Sequence, residues 1–147
     1  MQQCNLKVKK LDERAVLPRY GSEYAAAADL YAVCDNDIEI APGETVFVHT
    51  GLAMEIPCGC VGLIYARSSL GAKQGLAPAN KVGVIDSDYR GEIMVALHNH
   101  SGSVRTISCL DRVAQIVITP YIRADFEEAD ALSDTVRGQG GFGSTGK

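Results

Sequence analysis

Residues 83–97 read GVIDSDYRGEIMVAL, in which two short apolar runs flank a polar tip. The second run repeats its large apolar side chains with period two, which is typical of a β-strand rather than a helix. Similar runs occur in LKVK at residues 6–9 and in TVFV at residues 45–48, and turn compositions such as APGE at residues 41–44 separate them. We therefore predict an all-β fold, a jelly-roll-like β-barrel in which residues 83–97 form a hairpin.

The composition is that of one globular domain with a sizeable core, because 46% of the 147 residues are hydrophobic. The net charge of −4 argues against a broad nucleic-acid-binding face, whose affinity would come from clustered Lys and Arg. No apolar run approaches the roughly 20 residues of a membrane span, and the first residues, MQQC, do not begin a signal peptide. We expect a soluble, cytoplasmic protein that binds neither nucleic acid nor membrane.

One stretch departs from the strand pattern. SSLGAKQ at residues 68–74 predicts a single short helix, capped by Ser68 or Ser69 and ended by Gly75. Arg67 directly precedes this helix, so its guanidinium, a serine hydroxyl and free backbone N–H groups can converge on a phosphate. An ordinary helix cap beside a surface arginine is the alternative.

The C-terminal residues cannot form a core of their own. Residues 137–147 read RGQGGFGSTGK and hold five glycines around one aromatic side chain. We therefore divide the chain into a β-domain, residues 1–133, and a flexible glycine-rich arm, residues 134–147. Phe142 offers a flat face to a base and Arg137 a fork to phosphate, so the arm is suited to clamp a nucleotide. A disordered terminus is the alternative.

The polar tip at residues 83–91 holds the best catalytic candidate. Asp86 lies at a strand end, where a side chain can be aimed rigidly, whereas Asp88 is suited to a turn that closes on Gly91. Asp29 ends an alanine run and is either a turn residue or part of an outer metal shell.

Two predicted strands are apolar on both faces, namely VGLIYA at residues 61–66 and VAQIVI at residues 113–118. A small isolated sheet cannot bury both faces, so contacts between subunits are one explanation. Asp111 and Arg112, at the start of the second strand, are expected to form a structural ion pair.

The cysteines indicate reduced thiols, because their number is odd and no secretion signal is seen. They are Cys4, Cys34, Cys58, Cys60 and Cys109. Cys58 and Cys60 could join His98 and His100 in a zinc site, since residues two apart on a strand share a face. The spacing is not the usual C-x₂-C of zinc pairs, so small buried thiols and turn histidines are the favoured interpretation.

Five motifs, in order and spacing, resemble those of the homotrimeric dUTPases (deoxyuridine triphosphate nucleotidohydrolases). They are AADL at residues 27–30, RSS at 67–69, GVIDSDYRG at 83–91, DRVAQ at 111–115 and RGQGGFGSTG at 137–146. The resemblance covers nearly the whole chain, and the third and fifth motifs are too long for chance agreement.

The resemblance implies a jelly-roll homotrimer with active sites shared between subunits, which hydrolyses dUTP to dUMP and pyrophosphate with Mg²⁺. Such an enzyme keeps uracil out of DNA and supplies dUMP for thymidylate synthesis. By resemblance, Asp86 orients and activates the water that attacks the α-phosphate. Tyr89 packs under the deoxyribose and leaves no room for a 2′-hydroxyl. Mg²⁺ sits on the triphosphate, and Asp29 contacts it only through water.

The resemblance also implies the other substrate contacts. Uracil is read by the hairpin around the third motif, with Asn80, Gly83, Val84, Ile85 and Met94. The phosphates are held by Arg67, Ser68 and Ser69, supplied by a neighbouring subunit, and by Gln115. The arm closes over the site, with Phe142 on the uracil and Arg137, Gly143 and Ser144 on the phosphates.

Two positions depart from the motifs, because Ala27 and Leu110 stand where the family usually has glycine. A positive φ at either position would strain the residue and alter the placement of Asp29 or Gln115.

Two other functions stay open. A dCTP deaminase of the same fold would release ammonia from dCTP, and a non-catalytic nucleotide-responsive binding protein would bind nucleotide without turnover.

Overall fold

The strands run antiparallel in two sheets and a two-stranded ribbon, in a computed structural model that describes residues 4–141. The strands are β1 (Lys7–Lys10), β2 (Arg19–Tyr20), β3 (Ala28–Tyr31), β4 (Ile38–Ile40), β5 (Thr45–Glu55), β6 (Cys60–Tyr65), β7 (Leu76–Pro78), β8 (Gly83–Ile85), β9 (Glu92–Asn99), β10 (Arg105–Ile107) and β11 (Arg112–Pro120). The helix in this part of the chain is α1 (Ser68–Gln74).

The two sheets pack over one apolar core. The first sheet has the strand order β1-β5-β9-β7 and the second the order β2-β3-β11-β6-β8, while β10 pairs with β4. Leu52 and Leu97 of the first sheet lie in the same buried cluster as Leu30 and Ile116 of the second. The predicted all-β, jelly-roll-like fold is confirmed, with the sheets stacked face to face instead of closing into a barrel.

The predicted hairpin at residues 83–97 is wrong. Strand β8 pairs with β6, whereas β9 pairs with β5 and β7, so the two strands belong to different sheets. Ile93 and Leu97 are fully buried, which places β9 in the middle of the core rather than beside a short edge strand. Residues 86–91 are therefore a crossover loop between the sheets.

Helix α1 has the predicted bounds but not the predicted cap. Gly75 ends the helix at φ 71°, and its N–H bonds to the carbonyl of Leu70. The N-cap position is occupied by Arg67 in an extended conformation, with no side-chain cap hydrogen bond. The Ser69 hydroxyl accepts a hydrogen bond from the Arg67 guanidinium instead, at 3.1 Å.

The chain leaves the core at the end of β11. The N–H of Tyr121 still bonds to the carbonyl of Gly59, but residues 121–139 are exposed and form neither strand nor helix. Apolar side chains on this segment are almost completely exposed, among them Ile122 and Phe126. In the described part of the chain, no helix has the length and apolarity needed to cross a bilayer.

Candidate active site

A mostly buried carboxylate links β3, β11 and the residue that precedes α1. The side chain of Asp29 on β3 is 13% exposed, and its Oδ1 accepts a hydrogen bond from Nε of Arg67 at 2.7 Å. Its Oδ2 accepts from Arg112 on β11 at 3.3 Å. Asp29 is thus held by two guanidinium groups, and it fixes the orientation of Arg67 at the start of α1.

The predicted ion pair between Asp111 and Arg112 is therefore wrong. The carboxylate of Asp111 accepts the backbone N–H of Ser108 at 2.8 Å and closes a turn before β11. Arg112 lies directly opposite Tyr31 in the β3–β11 pairing, close enough to reach Asp29. The pairing of β3 with β11 determines the partner of Arg112. Adjacency in the sequence does not reveal that pairing.

The predicted phosphate-binding residues lie together around Arg67. Nη1 of Arg67 donates to the Ser69 hydroxyl, and Gln115 donates from Nε2 to the carbonyl of Ala66 at 2.9 Å. Ser68, the first residue of the helix, is exposed. The Ser69 hydroxyl and the Gln115 amide thus lie near the Arg67 guanidinium, which is only partly exposed to solvent. Such a group of donors around a positive charge is a suitable environment for phosphate oxygens.

The loop after β8 presents the candidate base. Asp86 is exposed, and its backbone carbonyl accepts the N–H of Tyr89 at 3.2 Å. The Arg90 guanidinium donates to two loop carbonyls at 2.7 and 2.9 Å, so Arg90 braces the loop in place of the predicted closure of Asp88 on Gly91. Within residues 4–141, the Asp86 carboxylate has no hydrogen-bond partner.

Tyr89 is fixed at the far side of the same loop. Its hydroxyl donates to the carbonyl of Glu92 at 3.0 Å, and its ring lies against Gly91, where a Cβ would approach the hydroxyl to 2.4 Å. Only glycine permits this contact. The carboxylate of Glu92 accepts from Nδ1 of His49 and from the N–H of Gly51, both at 2.8 Å, and so anchors the loop to β5.

Strand β8 offers a free edge next to this loop. It is the last strand of its sheet, so one side of residues Gly83–Ile85 has no strand partner within the described chain. Asn80 lies close by, since a Cβ on Gly83 would stand 3.6 Å from the Asn80 amide nitrogen. Met94 on β9 is 40% exposed. An open edge of N–H and C=O groups can pair with the polar edge of a base.

The two groups of site residues lie far apart in one chain. Ile85 pairs with Gly62 and Gly83 with Ile64, so β8 runs away from the end of β6 that leads to Arg67. Asp86 therefore lies beside position 61, and the six residues from there to Arg67 correspond to about 20 Å along the sheet. The predicted phosphate-binding residues and the candidate base therefore lie apart within a single chain.

The sequence matches one family of proteins. The family model described as dUTPase matches residues 13–146. The chain belongs to the dUTPase family. A deoxyuridine 5'-triphosphate nucleotidohydrolase of Nautilia profundicola is 49% identical over 142 residues, covering 97% of this chain and 99% of that protein. One from Desulfitobacterium hafniense is 48% identical over 147 residues, covering 97% of each.

Solved dUTPase structures share the fold. A mutant of the dUTPase of Staphylococcus bacteriophage 80alpha superposes with a TM-score of 0.87 at 24% identity, covering 97% of this chain and 99% of that one. The dUTPase of the same phage solved with dUpNHpp gives a TM-score of 0.86 at 24% identity, covering 99% and 100%. At this identity the likeness shows the fold alone, and it confirms the jelly-roll assignment.

The two departures from the dUTPase motifs differ in their effect. Leu110 has φ 69°, so it occupies a left-handed conformation that favours glycine. It is the third residue of the turn in which the N–H of Asp111 bonds to the carbonyl of Ser108. Within residues 4–141, Ala27 is not among the non-glycine residues with positive φ. The expected strain is thus present at Leu110 and absent at Ala27.

Other predictions fall outside these two groups. Phe142, Gly143 and Ser144 lie outside the described residues. The possible zinc ligands are not assembled, since no three His, Cys, Asp or Glu side chains within residues 4–141 are grouped to hold a metal ion. Two supporting roles were not predicted from the sequence. Arg112 holds Asp29, and Glu92 holds the Tyr89 loop. The available signal for Glu92 was an acid that begins a buried strand directly after the third motif.

Proposed function

We propose that the chain hydrolyses dUTP to dUMP and pyrophosphate by attack of water on the α-phosphate. The loop after β8 carries this proposal, because it holds a carboxylate without a partner in residues 4–141, Asp86, beside the anchored ring of Tyr89. The name of the relatives, deoxyuridine 5'-triphosphate nucleotidohydrolase, supports the same reaction. This activity would keep uracil out of DNA and supply dUMP for thymidylate synthesis.

Asp86 is assigned as the general base. Its carboxylate would accept a proton from the attacking water and direct the lone pair of that water at the α-phosphate. The exposed position at the end of β8 lets water reach the carboxylate, and the hydrogen bond from the N–H of Tyr89 to its carbonyl restrains the backbone. A rigid backbone below a free carboxylate is what such a role needs.

Tyr89 is assigned to the sugar. Packed under the deoxyribose, its ring would leave no space for the 2′-hydroxyl of UTP. The ring is held in place, because its hydroxyl is bonded to Glu92 and its hydroxyl end lies against Gly91. Discrimination against ribose would thus depend on a clash with a ring that is held in place.

The uracil is assigned to the free edge of β8. The backbone groups of Gly83, Val84 and Ile85 would donate to a uracil carbonyl and accept from its N3–H, with Asn80 and Met94 at the sides of the base. Cytosine presents an amino group and an unprotonated N3 at these positions, so a bound cytosine would leave backbone groups without partners. That cost favours uracil.

The triphosphate is assigned to Arg67, Ser68, Ser69 and Gln115. Asp29 holds Nε of Arg67, and Ser69 accepts from Nη1, which leaves Nη2 without a partner in residues 4–141. This group, the two hydroxyls and the Gln115 amide would donate to phosphate oxygens. Pre-alignment of Arg67 by Asp29 would reduce the entropy lost on binding.

Mg²⁺ is proposed to enter on the triphosphate. Both oxygens of Asp29 accept hydrogen bonds from arginines, so Asp29 does not suit direct coordination and would reach the ion only through water. The ion would neutralise charge on the phosphate oxygens. Asp86 and Arg67 keep their assigned roles without any protein ligand to the metal.

The active site is proposed to form between copies of the chain in a homotrimer. The separation of about 20 Å between Asp86 and Arg67 along β6 supports this arrangement. So does the outer face of the second sheet, where Val84, Leu63 and Val117 lie side by side in register and are only partly buried. An apolar row on an outer face is suited to contact another subunit.

The arm is proposed to complete the site of a neighbouring copy. Residues 121–139 are exposed and make no core, which leaves them free to extend to another subunit. Arg137, Gly143 and Ser144 would then contact the phosphates and Phe142 the uracil, excluding bulk water from the attacking nucleophile.

A substrate comparison tests the proposed function. Purified protein is incubated with Mg²⁺ and dUTP, UTP, dCTP or dTTP, and pyrophosphate and ammonia are measured. We expect pyrophosphate from dUTP and little product from the other three. Ammonia from dCTP would establish the deaminase alternative, and tight dUTP binding with no pyrophosphate would establish the binding-protein alternative.

A further inference from the structure

The fold brings two cysteines together that are far apart in the sequence. Cys34 lies just after β3, and Cys109 lies in the turn before β11. The segments are joined at Ala32, whose N–H bonds to the carbonyl of Asp111 at 2.8 Å and whose carbonyl accepts from Leu110 at 2.9 Å. The sulfur of Cys109 lies 4.0 Å from the same carbonyl.

The hydrogen bonds of Ala32 with Leu110 and Asp111 hold the segment that carries Cys34 beside the turn that carries Cys109. Burial raises the pKa of the Cys34 thiol, and the neighbouring thiol of Cys109 raises it further by charge repulsion and a hydrogen bond. Cys34 is partly buried and lines a surface pocket with Arg14 and His49, while Cys109 is exposed. One thiol is thus accessible to solvent, and the other is in reach of it.

We propose that Cys34 and Cys109 form a reversible intramolecular disulfide when the protein meets a peroxide or a small disulfide. A disulfide needs Cα atoms about 4.4–6.8 Å apart, and the backbone hydrogen bonds of Ala32 with Leu110 and Asp111 keep the two cysteine-bearing segments side by side, so that a side-chain rotation can bring the sulfurs together. Cys109 sits in an exposed turn, where such a rotation meets little resistance. This site is separate from the proposed hydrolysis of dUTP.

The chemistry with peroxide begins at the exposed thiol. The Cys109 thiolate attacks one peroxide oxygen, the O–O bond breaks, and Cys109 becomes a sulfenic acid as water leaves. Cys34 then loses its proton and attacks the Cys109 sulfur, which releases the hydroxyl as a second water. Two thiols and one hydrogen peroxide thus give one disulfide and two waters. A dithiol reductant reverses the change by exchange.

The other three cysteines provide internal controls. Cys4 is exposed near the N-terminus, and Cys58 is exposed in the turn before β6. Cys60 is partly buried and lies only two residues from Cys58. Each is available to an unselective oxidant, so selective linkage of Cys34 to Cys109 would reflect their placement in the fold.

Peptide mapping tests the proposal. Trypsin alone leaves Cys34 on the same peptide as Cys58 and Cys60, because no Lys or Arg occurs in residues 20–66. A second digestion with glutamyl endopeptidase separates them and gives residues 24–39, with Cys34, and residues 106–112, with Cys109. The folded full-length protein is treated with hydrogen peroxide or oxidised glutathione, free thiols are blocked, and the digest is analysed by mass spectrometry.

We expect the two peptides to appear linked, lighter by two hydrogens than their sum, and to separate after treatment with dithiothreitol. Cys34→Ser and Cys109→Ser should each abolish the linked species, whereas Cys4→Ser should keep it. Thermal unfolding before oxidation checks that each variant is folded. Linkage of Cys58 to Cys60, linkage only between chains, or no linkage in folded wild-type protein would each overturn the proposal.

Discussion

Two carboxylates of the site have opposite surroundings, which suggests different roles for them. Asp29 is mostly buried and accepts hydrogen bonds from two arginines. Asp86 is exposed and has no such partner within residues 4–141. A carboxylate held by two guanidinium groups is suited to fixing their orientation, whereas one without a partner is available to the attacking water. We therefore treat Asp29 as a positioning residue for Arg67 and Asp86 as the catalytic residue.

The first prediction concerns Asp86. Asp86→Asn should reduce kcat on dUTP by about 10²–10⁴-fold, because an amide cannot accept the proton of the attacking water. Affinity for a non-hydrolysable dUTP analogue should stay close to that of the wild type. Asp88→Asn, which alters the other exposed acid of the loop, is the matched control and should keep most of the turnover. Undiminished turnover in Asp86→Asn would remove this residue from the mechanism.

The second prediction concerns Tyr89. Tyr89→Ala should raise kcat/KM for UTP relative to dUTP by about 10-fold or more, because space opens for the 2′-hydroxyl. Steady-state kinetics on both nucleotides measure the ratio. Tyr24→Ala, which removes another exposed ring far along the sequence, should leave it unchanged. An unaltered ratio in Tyr89→Ala would show that ribose is rejected elsewhere.

At the scale of single elements, the sequence correctly predicted the features that depend on contacts between neighbouring residues. The bounds of α1 and its end at Gly75 follow from helix propensity and from glycine's access to positive φ. The predicted hairpin is wrong because period two indicates a strand but not its partner, and β9 pairs with β5 and β7 within the first sheet. The predicted serine cap is wrong, because Arg67 occupies the N-cap position and the Ser69 hydroxyl is bonded to Arg67.

The turn before β11 provides a prediction at this scale. Leu110→Gly should stabilise the fold by about 1 kcal/mol, because glycine adopts φ near 69° without a Cβ clash. Leu110 is 49% exposed, so little packing is lost. Leu110→Ala is the control, because it removes the same side chain and keeps the Cβ. Thermal unfolding should rank the glycine variant above the alanine variant, and the reverse order would show that the conformation is not strained.

At the scale of the whole molecule, the predicted site residues of one chain fall into two separate groups, and their roles stay predictions. Arg67, Ser69 and Gln115 cluster as expected, because their elements are adjacent in the second sheet. The direction of β8 relative to β6, which separates Asp86 from Arg67, depends on strand pairing. No motif encodes that direction, whereas the family resemblance already implied active sites shared between subunits.

Mixing two inactive variants tests the shared site. Asp86→Asn and Arg67→Ala should each be nearly inactive alone, but co-expressed chains should recover about a quarter of the wild-type turnover. A random mixture pairs an intact Asp86 with an intact Arg67 from a neighbour in about one site of four. Purification through two different tags isolates the mixed trimers, in which one site of three is intact, so their turnover should be about a third of that of the wild type. No recovery would show that both residues act within one chain.

Removal of the arm is the last prediction. Deletion of residues 137–147 should leave the unfolding temperature within about 2 °C of wild type, because residues 121–139 are exposed and lie outside the core. Turnover should fall by about 10²-fold or more, since water would no longer be excluded from the site. Deletion of Lys147 alone is the control and should change neither quantity. Full turnover in the longer deletion would show that the arm does not act in catalysis.

The proposed sharing of the site between copies would make activity depend on protein concentration, because Asp86 and Arg67 lie beside opposite ends of β6. If Asp86 of one copy serves the Arg67 group of another, a dissociated chain carries all the chemical groups and still turns over no substrate. Specific activity should then be constant at high concentration and collapse on dilution past the dissociation constant of the assembly. A cell that makes too few chains would lose the activity altogether, rather than in proportion to the number of chains.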